Sequence, residues 1–333
     1  VSPTTPVKPA AHQLDLGGEI VTARPIAASD LPKPPSNLRL AVVLDRSRSM
    51  YQNRDEIKKV LAQLGQYADA ANSDAYLTAS KYCGEAPTKT RLNALNADSL
   101  LYCGGQNAVE LLAQFNLLNN GASYDAILVL TDGAGYELGE NSVKVTTPNA
   151  PVWMVHLKGE YPLGYDDPTL EAIQASGGGA AGSLEEALTR WAVARANKRA
   201  AAGAGFADVV DGYLWSTAPS GPSNEASRDD FAPFAARRII LAAMQRQPEA
   251  LKQVETLDRL HTIAVKNSIV TPYSSMIVLV NEQQQKRLDQ IESGQDRFER
   301  EFEEVGTTTP PSPFTVAGVP EPEEWLLMAL AAV

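Results

Sequence analysis

Apolar residues in this chain follow two rhythms, and their alternation predicts the fold. Short unbroken runs at Leu40–Leu44 (LAVVL), Tyr124–Thr131 (YDAILVLT) and Pro151–Leu157 (PVWMVHL) have the pattern of strands covered on both faces. Between them, apolar residues recur three and four apart. Ile57, Val60, Leu61, Leu64 and Ala68 form one such stripe, with Arg54, Asp55, Lys58 and Lys59 on the other side. Ala108, Leu111, Leu112, Phe115 and Leu118 form a second. Ala75–Tyr82 reads as a further strand and Thr90–Leu95 as an antiparallel strand at the edge. Asp167-Pro168 is expected to cap a helix that runs through Ile173 and stops at Gly177-Gly178-Gly179. Ser183-Leu184-Glu185-Glu186 is a capping box that opens another helix towards Lys198. Strand and helix alternating at short intervals predict an α/β domain over residues 36–201, with a doubly wound, mostly parallel sheet.

The flanks follow other patterns. Residues 1–37 hold seven prolines and no sustained period, so residues 1–35 are expected to be extended linker, with Gly18–Thr22 as one edge strand. Residues 202–304 are expected to form a largely helical extension beside the domain. It would hold a strand within Phe206–Trp215, helices over Asp229–Gln247 and Pro248–Lys266, an added strand at Thr271–Val280 and a charged helix over Asn281–Glu304. Residues 305–318 are a Thr/Pro-rich linker, and residues 319–333 end in an apolar run.

Charge narrows the function. The formal net charge is −11 over 333 residues and the basic residues are scattered among acids, which argues against a nucleic-acid groove. The chain opens on Val1 and reads as a piece of a longer product. Cys83 and Cys103 could form one disulfide in an oxidising compartment or remain two buried thiols in a reducing one. His12, His156 and His261 have no metal-ligand spacing, and no nucleophile elbow, P-loop or GxGxxG is present, so no enzyme is expected. His156, ending an apolar strand, reads as a core or rim histidine.

Candidate chemistry gathers where the first apolar run ends. Leu40–Leu44 delivers Asp45, then Ser47 and Ser49 at alternate positions: one carboxylate and two hydroxyls, oxygen ligands suited to a hard divalent cation. A Gly104-Gly105-Gln106 turn then opens a helix, and the run ending at Thr131 delivers Asp132-Gly133. This order resembles the von Willebrand factor A (VWA) family and its metal-ion-dependent adhesion site over about half of the chain. The resemblance implies a Mg2+ site (or Ca2+/Mn2+) with Ser47 and Ser49 as direct ligands and Asp45 and Asp132 binding directly or through water. Gln106 stands where the family usually has Thr, and Arg48 where it often has Gly. An Asp or Glu carboxylate of a protein partner would complete the coordination shell.

Two further resemblances extend this picture. Leu257–Val280 (LDRLHTIAVKNSIVTPYSSMIVLV) is similar to the segment that follows the A domain in inter-alpha-trypsin inhibitor heavy chains. Val319-Pro320-Glu321-Pro322-Glu323-Glu324-Trp325 with its apolar tail resembles the PEP-CTERM sorting signal that an exosortase recognises, as in the bacterial PEP-CTERM family of integral membrane proteins carrying an A domain. Nine residues from Trp325 to Val333 fall short of the roughly 20 needed to span a bilayer, so the tail would be the start of a membrane segment. Together these imply a metal-dependent protein-binding module on the outer face of a bacterial membrane; the alternative is a structural envelope component whose A domain holds no metal. Export would favour the Cys83–Cys103 disulfide.

Overall fold

In the computed structural model, residues 10–134, 145–159, 165–200, 205–220 and 230–274, with Lys286, Gln290, Gly294 and Phe298, are described. Their strands are β1 (His12–Leu16), β2 (Glu19–Pro25), β3 (Leu40–Leu44), β4 (Asp74–Leu77), β5 (Thr88–Arg91), β6 (Ala126–Thr131), β7 (Val152–His156), β8 (Gly179–Ala181), β9 (Ala207–Val210) and β10 (Tyr213–Pro219). The helices are α1 (Arg54–Leu64), α2 (Ala108–Asn119), α3 (Asp167–Ala175), α4 (Leu184–Ala200), α5 (Ala232–Arg246) and α6 (Val254–Lys266).

The larger sheet has the order β5-β4-β3-β6-β7-β8. All of its pairings are parallel except that of β5, which runs antiparallel to β4 at the edge. The apolar runs form strands because both faces are covered. Leu40, Val42, Leu44, Leu128 and Leu130 meet Ile57, Val60 and Leu64 of α1 and Leu188 and Trp191 of α4. The intervening Ala41, Val43, Ile127 and Val129 meet Leu111, Leu112 and Phe115 of α2 and Ile173 of α3. Each of the buried Val, Leu, Ile and Phe side chains contributes roughly 1.5–3 kcal/mol by leaving water. This is the expected doubly wound α/β arrangement, and it puts β3 and β6 side by side although β4 and β5 lie between them in the chain. In open α/β sheets the ligand crevice lies beyond the carboxyl ends of the strands at such a reversal.

Several boundaries differ from expectation. Asp166 caps α3, one residue before the expected cap, its carboxylate accepting from the Thr169 amide at 2.6 Å. The glycine run after α3 ends the helix and also begins β8, because a Cβ on Gly178 would lie 1.7 Å from the Val152 carbonyl oxygen. Glycine at that position lets the returning chain reach β7. In the α4 capping box Ser183 Oγ accepts from the Glu186 amide, but the Glu186 carboxylate turns back to the Gly182 amide.

The expected linker and extension are joined in a second sheet. Its order is β1-β2-β10-β9, antiparallel throughout. β2 lies inside it, so residues 12–25 are not a linker with a single edge strand. One strand was expected in Phe206–Trp215; two form, turning at Asp211-Gly212. Val21, Ala23 and Trp215 pack with Ala235 and Ile239 of α5 and with Phe231 just before it. Arg190 of α4 reaches Asp208 on β9 at 2.8 Å, and Arg238 of α5 reaches the same carboxylate at 3.3 Å. The expected strand at Thr271–Val280 is described only at its start, where Thr271 and Ser274 close a tight turn. The remainder of that strand, most of the charged helix, and the sorting-signal residues Pro320, Glu321 and Pro322 lie outside the described residues. Among the described residues no helix is long and apolar enough to cross a membrane.

Candidate metal and partner-binding site

Four loops meet at the carboxyl ends of β4, β3 and β6. Just past β3 the Asp45 amide still donates to the Leu130 carbonyl of β6 at 3.0 Å, which holds Asp45 beside that strand. The Asp45 carboxylate is buried, and its Oδ1 accepts from the Ser47 amide at 2.8 Å and from Ser47 Oγ at 2.5 Å. Its Oδ2 accepts from Thr131 Oγ1 at 2.8 Å. After Ser47 the chain winds into a 3-10 turn, Arg48–Asn53, which seats Met50 in the core and leaves Ser49 half-buried and Arg48 exposed.

The glycine turn is stitched to this loop. Cys103 donates its amide to the Arg46 carbonyl and Arg48 donates its own to the Gly104 carbonyl, both at 2.9 Å. The Gln106 amide donates to Ser47 Oγ at 3.0 Å. Asn107 then caps α2 in a reciprocal capping box with Glu110, which fixes where the turn ends. Gly104 has φ +66°, and a Cβ there would sit 2.3 Å from Ser80 Oγ, so any side chain would be strained and would displace Ser80. Cys83 and Cys103 are joined, with Cα atoms 6.0 Å apart, tying the glycine turn to the loop after β4.

Asp132 follows β6. Its Oδ1 accepts from the Ala134 amide at 3.0 Å, and its negative charge pushes the Asp45 pKa upward. Burial is the larger cause. Desolvation raises the Asp45 carboxyl from 3.8 to about 6, against the downward pull of the Ser47 and Thr131 hydrogen bonds. Asp45, Ser47, Gln106 and Asp132 therefore share one crevice, with Ser49 on its adjoining turn. The sequence motif contains Thr131 in Thr-Asp-Gly but gives neither Thr131 nor Thr78 a role at the site. Thr131 becomes a partner of Asp45 only through the β3–β6 register, which no local pattern reveals.

Gln106 bears on whether a cation fits. Thr78 Oγ1 lies 2.7 Å from the Leu44 carbonyl and 2.8 Å from Gln106 Oε1, while Gln106 Nε2 is buried without a partner. A hydroxyl has one proton, so it cannot donate to both oxygens. Exchanging the amide's oxygen and nitrogen resolves this, because amide orientation is an assignment. Thr78 then donates to Leu44, Nε2 donates to Thr78, and the unpartnered buried atom becomes an oxygen. Ser47 Oγ donates to Asp45 and accepts from Gln106, and it keeps one lone pair. Two carboxylates with such oxygens suit a hard cation. Among the described residues no three His, Cys, Asp or Glu side chains converge, so hydroxyl and amide oxygens would make up the rest of the shell.

No protein-family model matches the chain, and no curated protein is similar to it in sequence. Among solved structures, the pilus adhesin SpaC from Lactobacillus rhamnosus GG is similar at a TM-score of 0.26 and 12% identity, over 63% of this chain and 40% of that one. The type V pili tip protein Mfa5 from Porphyromonas gingivalis is similar at a TM-score of 0.20 and 13% identity, over 35% of this chain and 22% of that one. The chain thus spans less than half of either protein, and at these scores neither likeness bears on its function.

Proposed function

We propose that the chain is a metal-dependent protein-binding module of the von Willebrand factor A type, held at a bacterial membrane through its C-terminal segment. The observation that carries this is the state of Asp45. It is a buried carboxylate beside a second carboxylate, and among the described residues no Lys, Arg or His forms an ion pair with it. Buried charges are ordinarily paired or bind a metal, and hydroxyl and amide donors do not supply a countercharge. The strand order supports the family reading, since Asp45 and Asp132 directly follow adjacent strands at the reversal point. Asp45, Ser47, Ser49, Gln106 and Asp132 would hold the ion. When bound, a divalent cation would supply an open coordination position for a partner's Asp or Glu carboxylate. The chain's own residues orient that position: Thr131 fixes one oxygen of Asp45, and Ser47 fixes the other.

One observation favours a second reading, a metal-free structural domain of the envelope. Both Asp45 oxygens already accept hydrogen bonds from the loops they tie together. Calorimetric titration with MgCl2, MnCl2 and CaCl2 separates the two. Heat that disappears in Asp45→Ala supports the metal site. No heat with any of the three cations leaves the structural reading.

A further inference from the structure

The crevice has a rim that metal binding does not use. Among the described residues seven large apolar side chains are strongly exposed, and three of them lie on the loops around Asp45: Tyr51 at 56%, Tyr82 at 79% and Leu101 at 64%. The other four are scattered over α2, α5 and the stretch from α6 to Val270. Tyr51 meets Tyr102 edge-on with ring centroids 6.2 Å apart, and the Arg54 guanidinium lies 4.6 Å from the Tyr51 centroid. Tyr82 adjoins Cys83, whose disulfide with Cys103 links its loop to Leu101 and Tyr102. Exposed tyrosines and an exposed leucine around one crevice are the composition of a recognition surface rather than of a solvated loop.

The charge of the rim selects its occupant. In a chain of net charge −11, these loops present Arg48 and Arg54 to solvent, Arg54 with exposed Asp55 next to it, and Lys81 over the Tyr82 ring at 5.1 Å, while Glu85 is held by Arg46 at 2.9 Å and Asp98 by Lys58 at 2.5 Å. We propose that the face formed by Tyr51, Tyr82, Leu101 and Tyr102, edged by Arg48 and Arg54, docks an acidic polypeptide segment in which an apolar or aromatic residue stands near an Asp or Glu. The apolar residue packs on the tyrosines and Leu101, and flanking acids face the arginines. The carboxylate enters the Asp45 crevice; this last contact rests on the reading of that crevice as a partner site. Leu101 sets the class of partner, because an aliphatic side chain gains from a dry apolar contact and little from sugar hydroxyls.

The test pans a phage-displayed library of random dodecapeptides on the full chain in MgCl2, then measures the recovered peptides by fluorescence anisotropy. Expected is enrichment of peptides with Asp or Glu within a few positions of an aromatic or aliphatic residue. Their affinity should fall at least tenfold in Tyr51→Ser/Leu101→Ser, in Tyr82→Ser and in Arg54→Glu, with the magnesium heat unchanged in all three. Failure to enrich acidic peptides, or peptides that bind all three variants as they bind the parent, would overturn the proposal. So would binding of acidic oligosaccharides on a glycan array without any peptide, which would assign the face to carbohydrate. Acidic peptides that need the tyrosines but ignore EDTA and Asp45→Ala would keep the docking face and sink the metal bridge. Magnesium heat without any effect of the face variants would do the reverse.

Discussion

Asp45 has left water and received only neutral donors in exchange, and that imbalance can be read from stability. A carboxyl whose pKa is raised from 3.8 to about 6 is favoured by the fold in its protonated form. The folded chain holds a proton between these values that the unfolded chain has lost. Stability from this group is therefore present below about pH 4 and declines as pH rises through 6, in total by up to about 3 kcal/mol from the 2.2-unit difference (6 − 3.8). In EDTA the Asp45→Asn variant should gain on the parent as pH moves from 4 to 7, read as the difference in urea midpoints at each pH. A difference that is flat with pH would show that Asp45 already has a countercharge. Gln106 allows a second comparison. As a neutral ligand it adds less attraction than a carboxylate, so Gln106→Leu should weaken magnesium binding less than Asp45→Ala does. Gln106→Thr should leave affinity roughly unchanged. Gain of binding only in the Thr variant would mean that Gln106 itself fills the metal position.

At the scale of elements, the site is a join between loops, and the disulfide is its strongest tie. Cross-linking residues 20 apart should stabilise the fold on the order of 3 kcal/mol through the unfolded chain. Cys83→Ser with Cys103→Ser should lower the unfolding free energy by about that much, and thiol counting on unreduced, denatured parent should find none. Two reactive thiols would refute the pairing. The elements differ in how visibly the sequence marks them. β3, β6 and β7 stand out because a strand covered on both faces must be apolar without interruption. β8 does not, because Gly179-Ala180-Ala181 is too small to register as a strand and is held by the room Gly178 leaves beside Val152. The second sheet left a signal that apolar periodicity passes over. Gly17 and Gly18 have φ of 62° and 86°, and Asp211 and Gly212 have 52° and 76°. Two-residue loops with both φ positive turn a hairpin in the sense strands twist, which is why Gly-Gly and Asp-Gly mark such turns. The surrounding prolines pointed instead to a linker. Asp166 rather than Asp167 caps α3, with Pro168 still inside the first turn, where its missing N–H costs no helical hydrogen bond.

For the whole molecule, the order of the strands makes one site out of distant residues. Asp45 and Asp132 lie 87 positions apart (132 − 45), and they share a crevice because β3 pairs with β6 rather than with β5, the strand that precedes β6 in the chain. The residues that give the crevice its oxygen chemistry were legible as a motif. What was not legible was Thr131 holding Asp45 from the next strand, or Thr78 holding Gln106, since both contacts depend on a register set by the folded core. The second sheet likewise joins distant parts of the chain, so residues before β3 and after α4 support one another. The account's central claim is that this crevice holds a divalent cation. A crystal of the chain soaked in MnCl2 and measured for the anomalous scattering of manganese tests it most directly. The account predicts an anomalous peak in the crevice, bounded by Asp45, Ser47, Gln106 and Asp132. Density for the Gln106 side chain in that position, with no anomalous peak among these residues, would contradict it.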